Sequence, residues 1–158
     1  MDTKAGPGGP GDAATHTYIL FSVAGTTYAL PSHQVRHIEM FERATAVPNA
    51  APFVEGVVFS RGEVVPVVNL RVRFGYERVP RDLRARLLVV DAAGRAIGLL
   101  ADEAREFTTI PDGAIHPPSD AIGGLSGNYL DGVTTIGDRI VLILNLHHVI
   151  EAVPGVAA

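Results

Sequence analysis

Two stretches of this chain follow one pattern without a gap: EGVVFSRGEVVPVVNLR, Glu55 to Arg71, and DGVTTIGDRIVLILNLH, Asp131 to His147. Gly56 aligns with Gly132, Val57 with Val133, Asn69 with Asn145 and Leu70 with Leu146, all at an offset of 76 residues. A second echo, at an offset of 69, lays Ile19 to Leu30 (ILFSVAGTTYAL) over Leu88 to Leu99 (LVVDAAGRAIGL). Self-similarity of this length constrains the fold more than any single element, because one small β module is written twice and both copies must bury similar apolar faces.

Within each copy the local signals are those of strands. Apolar runs flank a polar break at Ser60-Arg61-Gly62-Glu63, which predicts a hairpin with Gly62 at positive φ. Asn69 stands at a helix N-cap position ahead of a short helix over Leu70 to Gly75. Upstream, Tyr18 to Val23 alternates so that Ile19, Phe21 and Val23 share a face, and Ala24 to Thr27 turns it into a second strand ending near Leu30. Gln34 to Ile38 is a third strand, and Leu87 to Val90, Ile97 to Ala101 and Arg105 to Ile110 repeat the three in the second copy. Pro66 falls inside the second strand of its hairpin, which is tolerated on an edge or at a bulge, whereas its counterpart Leu142 carries no such restriction.

The expected architecture is mainly β. Two pseudo-repeated five-stranded modules, 18–75 and 86–150, share a core, with a short connecting helix and a C-terminal helix over His147 to Val153. Residues 1–17 are too rich in Gly and Pro to pack and are expected to form a flexible tail, with a frayed end at 151–158. GPGGPG at Gly6 to Gly11 satisfies GxGxxG, but no strand precedes it, so it carries no phosphate site. Pro111 to Tyr129 departs from the repeat by seven residues, the difference between the two offsets, and reads as a long ordered loop.

Several function classes find no support. Cysteine is absent, which removes disulfides, thiolate nucleophiles and Cys-based metal sites and suits a reducing cytoplasm. A formal charge of −4 with scattered basic residues gives no nucleic-acid footprint, and no apolar run reaches the length of a membrane span. The six histidines form no HExxH, and His147 and His148, adjacent on a helix, point apart, so no metal or other cofactor is expected. Gly124 to Asn128 approaches GxSxG but lacks its last Gly. Asp102-Glu103 is an acidic pair at a turn, expected to be solvated rather than a general acid and base.

Two features ask for a partner. Charged residues make up 19% of the chain against 47% apolar, which leaves apolar surface for an interaction or an unusually large shared core. Leu87 and Val89 fall on the face opposite Leu88 and Val90 yet are as apolar, so they either meet a partner or are covered by the other module. Arg61 has Gly137 as its repeat equivalent, so the hairpin can be built without it. It is either an exposed turn residue or a guanidinium placed to bind a carboxylate.

The ordered series YILFSVxGxxYALP, VRHI, FVxGVxxxRGEVVPVVNLRxRF, LLVVxxxGxxIGLLAD and YLxGVTTIGDRIVLILNL, from Tyr18 to about Ile150, resembles the CheW family of chemotaxis adaptors. That resemblance implies two SH3-like barrels and a non-catalytic cytoplasmic scaffold in receptor arrays. Its partners would be the tip of a methyl-accepting chemoreceptor and a CheA-type histidine kinase, with neither nucleic acid nor membrane insertion. It also implies receptor contacts at Val35, Arg61, Gly62, Leu87 and Val89, and kinase contacts at His37, Ile38, Met40 and Phe41.

The pattern is broken at one place: the family's Val-x-Glu-Ile is Val35-Arg36-His37-Ile38 here, so the acid expected beside Arg61 is missing, although Glu106 fills the equivalent position. A neutral His37 near Arg61 would leave the guanidinium to Glu39, Glu63 or a partner and would weaken kinase binding. A divergent scaffold that binds receptor but not kinase is therefore one alternative, and a small β-barrel ligand binder or enzyme is another. A second, milder departure puts Asn69 where Asp is common.

Overall fold

The computed structural model describes residues 14–80, 82–118 and 129–153. Among them, ten strands form two five-stranded sheets: β1 (Thr15–Val23), β2 (Thr26–Pro31), β3 (Val35–Met40), β4 (Val54–Ser60), β5 (Glu63–Asn69), β6 (Arg86–Ala92), β7 (Arg95–Ala101), β8 (Glu103–Pro111), β9 (Leu130–Ile136) and β10 (Arg139–Leu144). One-turn helices α1 (Leu70–Arg73) and α2 (Leu146–Val149) follow the last strand of each repeat. The C-terminal helix is thus shorter than the sequence suggests. The near-GxSxG at 124–128 and most of the 111–129 loop lie outside the described residues.

The sheets run β8-β1-β2-β10-β9 and β3-β6-β7-β5-β4. Replacing each strand by its repeat equivalent converts one order into the other, so the sequence repeat is a structural one. The halves 18–75 and 86–150 share a core, as expected, but neither half makes a five-stranded sheet of its own. Each sheet takes the first hairpin of one repeat and the third strand and last hairpin of the other. The reason lies in the parallel pairs, β2 with β10 and β5 with β7. Parallel neighbours cannot be joined by a tight turn, and the long crossover each needs runs through the other repeat.

This exchange makes one central core and two lateral ones. Ile19, Phe21 and Val23 of β1 meet Leu88, Val90 and Ala92 of β6 in the centre, with Leu70, Val149 and Val153 beside them. On their opposite faces, Tyr18 and Leu20 pack with Val141 and Ile143, and Leu87 and Val89 pack with Phe41, Val65, Val67 and Ala96. Both β1 and β6 are therefore buried on two faces, which is why they read as continuous apolar runs. Each fully buried aliphatic or aromatic side chain is worth about 1.5–3 kcal/mol, so the central cluster, the largest of the three, couples the sheets into one folding unit.

Both expected ends need correction. Thr15 to Thr17 belong to β1 and pair with Thr109 to Pro111, and the Asp112 backbone N–H donates to the Ala14 carbonyl at 2.9 Å, so residues 14–17 belong to the fold. Val153 is 3% exposed in the central core and is not frayed. Pro66 lies in an interior strand, but the β5–β7 ladder begins at Val67, whereas the equivalent ladder from β10 includes Leu142. The missing N–H thus falls where no partner strand asks for it.

A close crossing fixes the start of β4. At Gly56 (φ 143°) a Cβ would stand 2.2 Å from the Thr45 carbonyl oxygen, where the chain bridges to Val57 through paired 2.8 Å backbone bonds. Gly132 does the same for the crossing at Ile115-His116.

Candidate functional site

The β4–β5 hairpin closes on the pair Ser60 and Glu63, leaving a two-residue turn in which Arg61 (φ 49°) and Gly62 (φ 86°) are both left-handed. This turn suits the right-handed twist of the strands, and its usual occupants are Asn, Asp and Gly. An Arg there carries a backbone cost of roughly 1–2 kcal/mol. Both turn residues are exposed.

Around the turn, charges are paired in two small networks. Arg36 donates to Glu63 at 3.0 Å and to Asp91 at 2.6 Å, and the Asp91 hydrogen bond, foremost, raises the Arg36 pKa above its ordinary value. Glu39 Oε2 accepts from Ser60 Oγ at 2.8 Å and lies 2.8 Å from His37 Nε2. Because one carboxylate oxygen meets both Ser60 and His37, the imidazole does not stand between serine and acid as a nucleophile-activating base must. Among the described residues Arg61 has neither an ion pair nor a hydrogen bond. A depression of about 180 Å³, lined by Arg36, His37, Ser60, Arg61, Val89 and Ala96 among others, lies beside it.

A family model described as the CheW-like domain matches residues 17–153. The chain belongs to the CheW-like domain family. It is 29% identical over 131 residues to a chemotaxis protein CheW of Rhizobium meliloti (strain 1021), covering 83% of this chain and 84% of the relative. It is 22% identical over 142 residues to that of Klebsiella aerogenes, covering 90% and 86%. The crystal structure of the scaffolding protein TtCheW from Thermoanaerobacter tengcongensis superposes with a TM-score of 0.81 at 26% identity, covering 87% of this chain and 94% of TtCheW.

In this CheW-like chain the residues expected to contact partners divide by burial. Arg61, Gly62 and Met40 are exposed, Met40 at 63%. Leu87, Val89 and Phe41 are not surface residues at all: they pack on one another inside the second sheet, Leu87 and Val89 at 1% exposed and Phe41 at 6%. Their neighbours Phe41, Val65 and Val67 belong to the first repeat, so the other module covers them, within the same sheet. Val35 and Ile38 are half-buried against the central core. His37 is half-buried, and it and Arg61 both line the depression, as the family pattern implies.

Glu39 and Glu63, considered as substitutes for the missing acid, are engaged by Ser60 with His37 and by Arg36 respectively. In the other sheet Glu106, the equivalent of His37, sits 3.8 Å from Arg139. The parts that sequence reasoning missed are Arg36, Ser60 and Asp91. Asp91 is 55 residues from Arg36 and meets it only because β3 pairs with β6, so no local pattern announces it.

The other departure has a geometric account. Asn69 Oδ1 accepts from Val72 N–H at 3.3 Å while its Nδ2 donates to Glu55 at 3.0 Å. Asn145 repeats this with His148 N–H at 3.0 Å and Asp131 at 2.9 Å. An Asp could cap the helix but would turn a carboxylate on the neighbouring acid.

A larger cleft of about 510 Å³ opens beside β7 and β8, with Phe41, Asn69, Arg71, Arg84, Asp102 and Glu103 on its walls. Asp102, expected to be solvated, is clamped there. It accepts from Arg71 Nε at 2.9 Å, from Arg71 Nη2 at 2.8 Å and from the Ala24 N–H at 2.8 Å. Arg84 hydrogen bonds hold the neighbouring Asp82 carboxyl down to about 2. Asp102 and Arg71, and Asp82 and Arg84, satisfy one another rather than converging on a common point as the polar groups of a small-molecule site do.

Proposed function

We propose that this chain is a non-catalytic adaptor of a bacterial chemosensory complex, linking the cytoplasmic tip of a methyl-accepting chemoreceptor to a CheA-type histidine kinase. Supporting this reading is one observation above all: the CheW-like pattern extends over residues 17–153, and the fold superposes on a scaffolding protein along nearly its whole length. The receptor would dock as a helical hairpin beside the β4–β5 turn, meeting Arg61, Gly62 and the exposed parts of β3 around Val35. The kinase would meet β3 near His37 and Met40. Location in receptor arrays in the cytoplasm follows from those partners.

A second reading keeps the receptor and drops the kinase. It is favoured by His37, which stands where the family writes an acid and hydrogen-bonds Glu39 instead of pairing with Arg61. Calorimetry of wild type and His37→Glu against a receptor-tip fragment and a kinase regulatory domain separates the two. Binding of both fragments by wild type supports the linking adaptor. Kinase binding that appears only in His37→Glu supports the second reading, and no binding of the receptor fragment sinks both.

A further inference from the structure

We infer that Arg36 is a positioning residue that latches the β4–β5 hairpin in the arrangement a docking receptor meets; this rests on the adaptor reading above. The hairpin tip needs such a latch. β5 is bonded to β7 only from Val67 to Asn69, and β4 is the edge of its sheet, bridged to Thr45 at Val57. From Val58 to Pro66, among the described residues, no backbone hydrogen bond ties the hairpin to the rest of the fold. Side chains do so instead: Ser60 holds Glu39 of β3, and Arg36 holds Glu63 while anchored on Asp91 of β6.

A β-bulge aims the Arg36 side chain. Val35 pairs with Val90 and His37 with Val89, so Arg36 is the extra residue of β3. Neighbours on a regular strand point to opposite faces, and a bulge redirects one of them. Arg36 and His37 accordingly line the same depression.

The second repeat supplies the control. Arg105, 69 positions on, is the extra residue of β8, between Ala104 and Glu106, which pair with Phe21 and Leu20. The counterparts of Asp91 and Glu63 are Ser22 and Arg139, so this copy keeps the bulge and its arginine without either acid. A sheet of this kind therefore forms without the latch, and both acids are an addition at the hairpin that carries Arg61. A tip fixed before its partner arrives loses less freedom on binding.

Arg36→Gln and Glu63→Gln both cut the bond from β3 to the hairpin while changing the net charge in opposite directions. Each should speed amide hydrogen exchange over residues 58–65 and leave the melting temperature within about 4 °C of wild type. Each should also weaken binding of a receptor-tip hairpin fragment about three- to tenfold by calorimetry. In stopped flow the loss should fall on association, because a tip in place only part of the time is met ready less often. The double variant should lose no more than either single one, and Arg36→Lys, which cannot fork between two acids, should recover part.

Unchanged exchange, or faster exchange with unchanged affinity, overturns the inference while leaving the adaptor reading intact. Opposite effects of the two variants on affinity would make Arg36 a source of charge attraction only, and additive losses or a change in dissociation alone would make it a direct contact; each overturns the inference. A larger fall in melting temperature, with exchange raised throughout the chain, assigns Arg36 to the fold and overturns it as well. Failure of wild type to bind the fragment brings down the adaptor reading and this inference with it.

Discussion

The Arg73 guanidinium donates from Nε to the Val149 carbonyl at 3.0 Å, and the two residues are repeat equivalents, 76 positions apart. Two equivalent positions touch only near the axis that relates the repeats. The rings on either side agree, since Phe53 and Tyr129 are also equivalents and Arg73 lies 4.0 Å from one centroid and 5.4 Å from the other. With further bonds to the Glu151 and His148 carbonyls, at 2.8 and 3.3 Å, one side chain ties α1 to the end of α2. The repeat's symmetry is broken at its centre, and the break is the clamp.

Arg73→Ala should therefore destabilise the protein by about 2–3 kcal/mol in chemical denaturation, combining lost charged hydrogen bonds with a lost cation–π contact. Arg73→Lys should recover less than half, because an ammonium cannot fork between carbonyls while stacking on a ring. Equal stability of Ala and wild type would show the clamp to be idle.

Leu87→Ala should cost about 2–5 kcal/mol, and Leu87→Arg should fail to fold at ordinary temperature. Leu87 is 1% exposed and packs directly over Gly98, where a Cβ would stand 2.7 Å from its Cδ1. Far-ultraviolet circular dichroism and melting check this. A Leu87→Arg protein that melts like wild type would return Leu87 to the surface.

Gly56→Ala should be among the most damaging single-methyl changes in the chain. The added Cβ meets the Thr45 carbonyl oxygen at 2.2 Å, and the residue sits at φ 143°. Backbone has little room to yield, so a loss of about 3 kcal/mol or more is expected by denaturant titration. A loss under about 1 kcal/mol would mean the crossing relaxes freely.

Stability should fall at high pH through Tyr28. Burial foremost, then the charge and hydrogen bond of Tyr76, push its phenol pKa well above the usual 10.0. A group whose folded pKa is raised contributes fully below its unfolded pKa, so the contribution is present below pH 10 and drains away as pH rises toward the folded value. Melting measured from pH 8 to 11 should drop beyond 10, and Tyr28→Phe should flatten that drop. An identical alkaline arm in Tyr28→Phe would assign it elsewhere.

How far the sequence carried depends on whether a feature is local. The offsets of 76 and 69 and the N-caps Asn69 and Asn145 are written in neighbouring residues, and the strands followed from them. Which sheet each strand joins was not legible, because the parallel pairing of β5 with β7 and β2 with β10 depends on contacts across the repeat boundary. The same blindness left Leu87 and Val89 open between a partner and the other repeat, since a strand buried on two faces reads identically whichever covers it; Phe41, Val65 and Val67 of the first repeat do. At the site, Arg61 stood out by comparison with Gly137, whereas its neighbours' pairing, above all Arg36 with Asp91, needed the fold.

The most direct test of the adaptor account is reconstitution: receptor-bearing vesicles, a CheA-type kinase and this chain, with kinase phosphorylation and co-sedimentation measured with and without the chain. A linking adaptor predicts that the chain sediments with the vesicles and that kinase activity rises only when receptor and chain are both present. A chain that stays in the supernatant and leaves kinase activity at its receptor-free level would contradict the account.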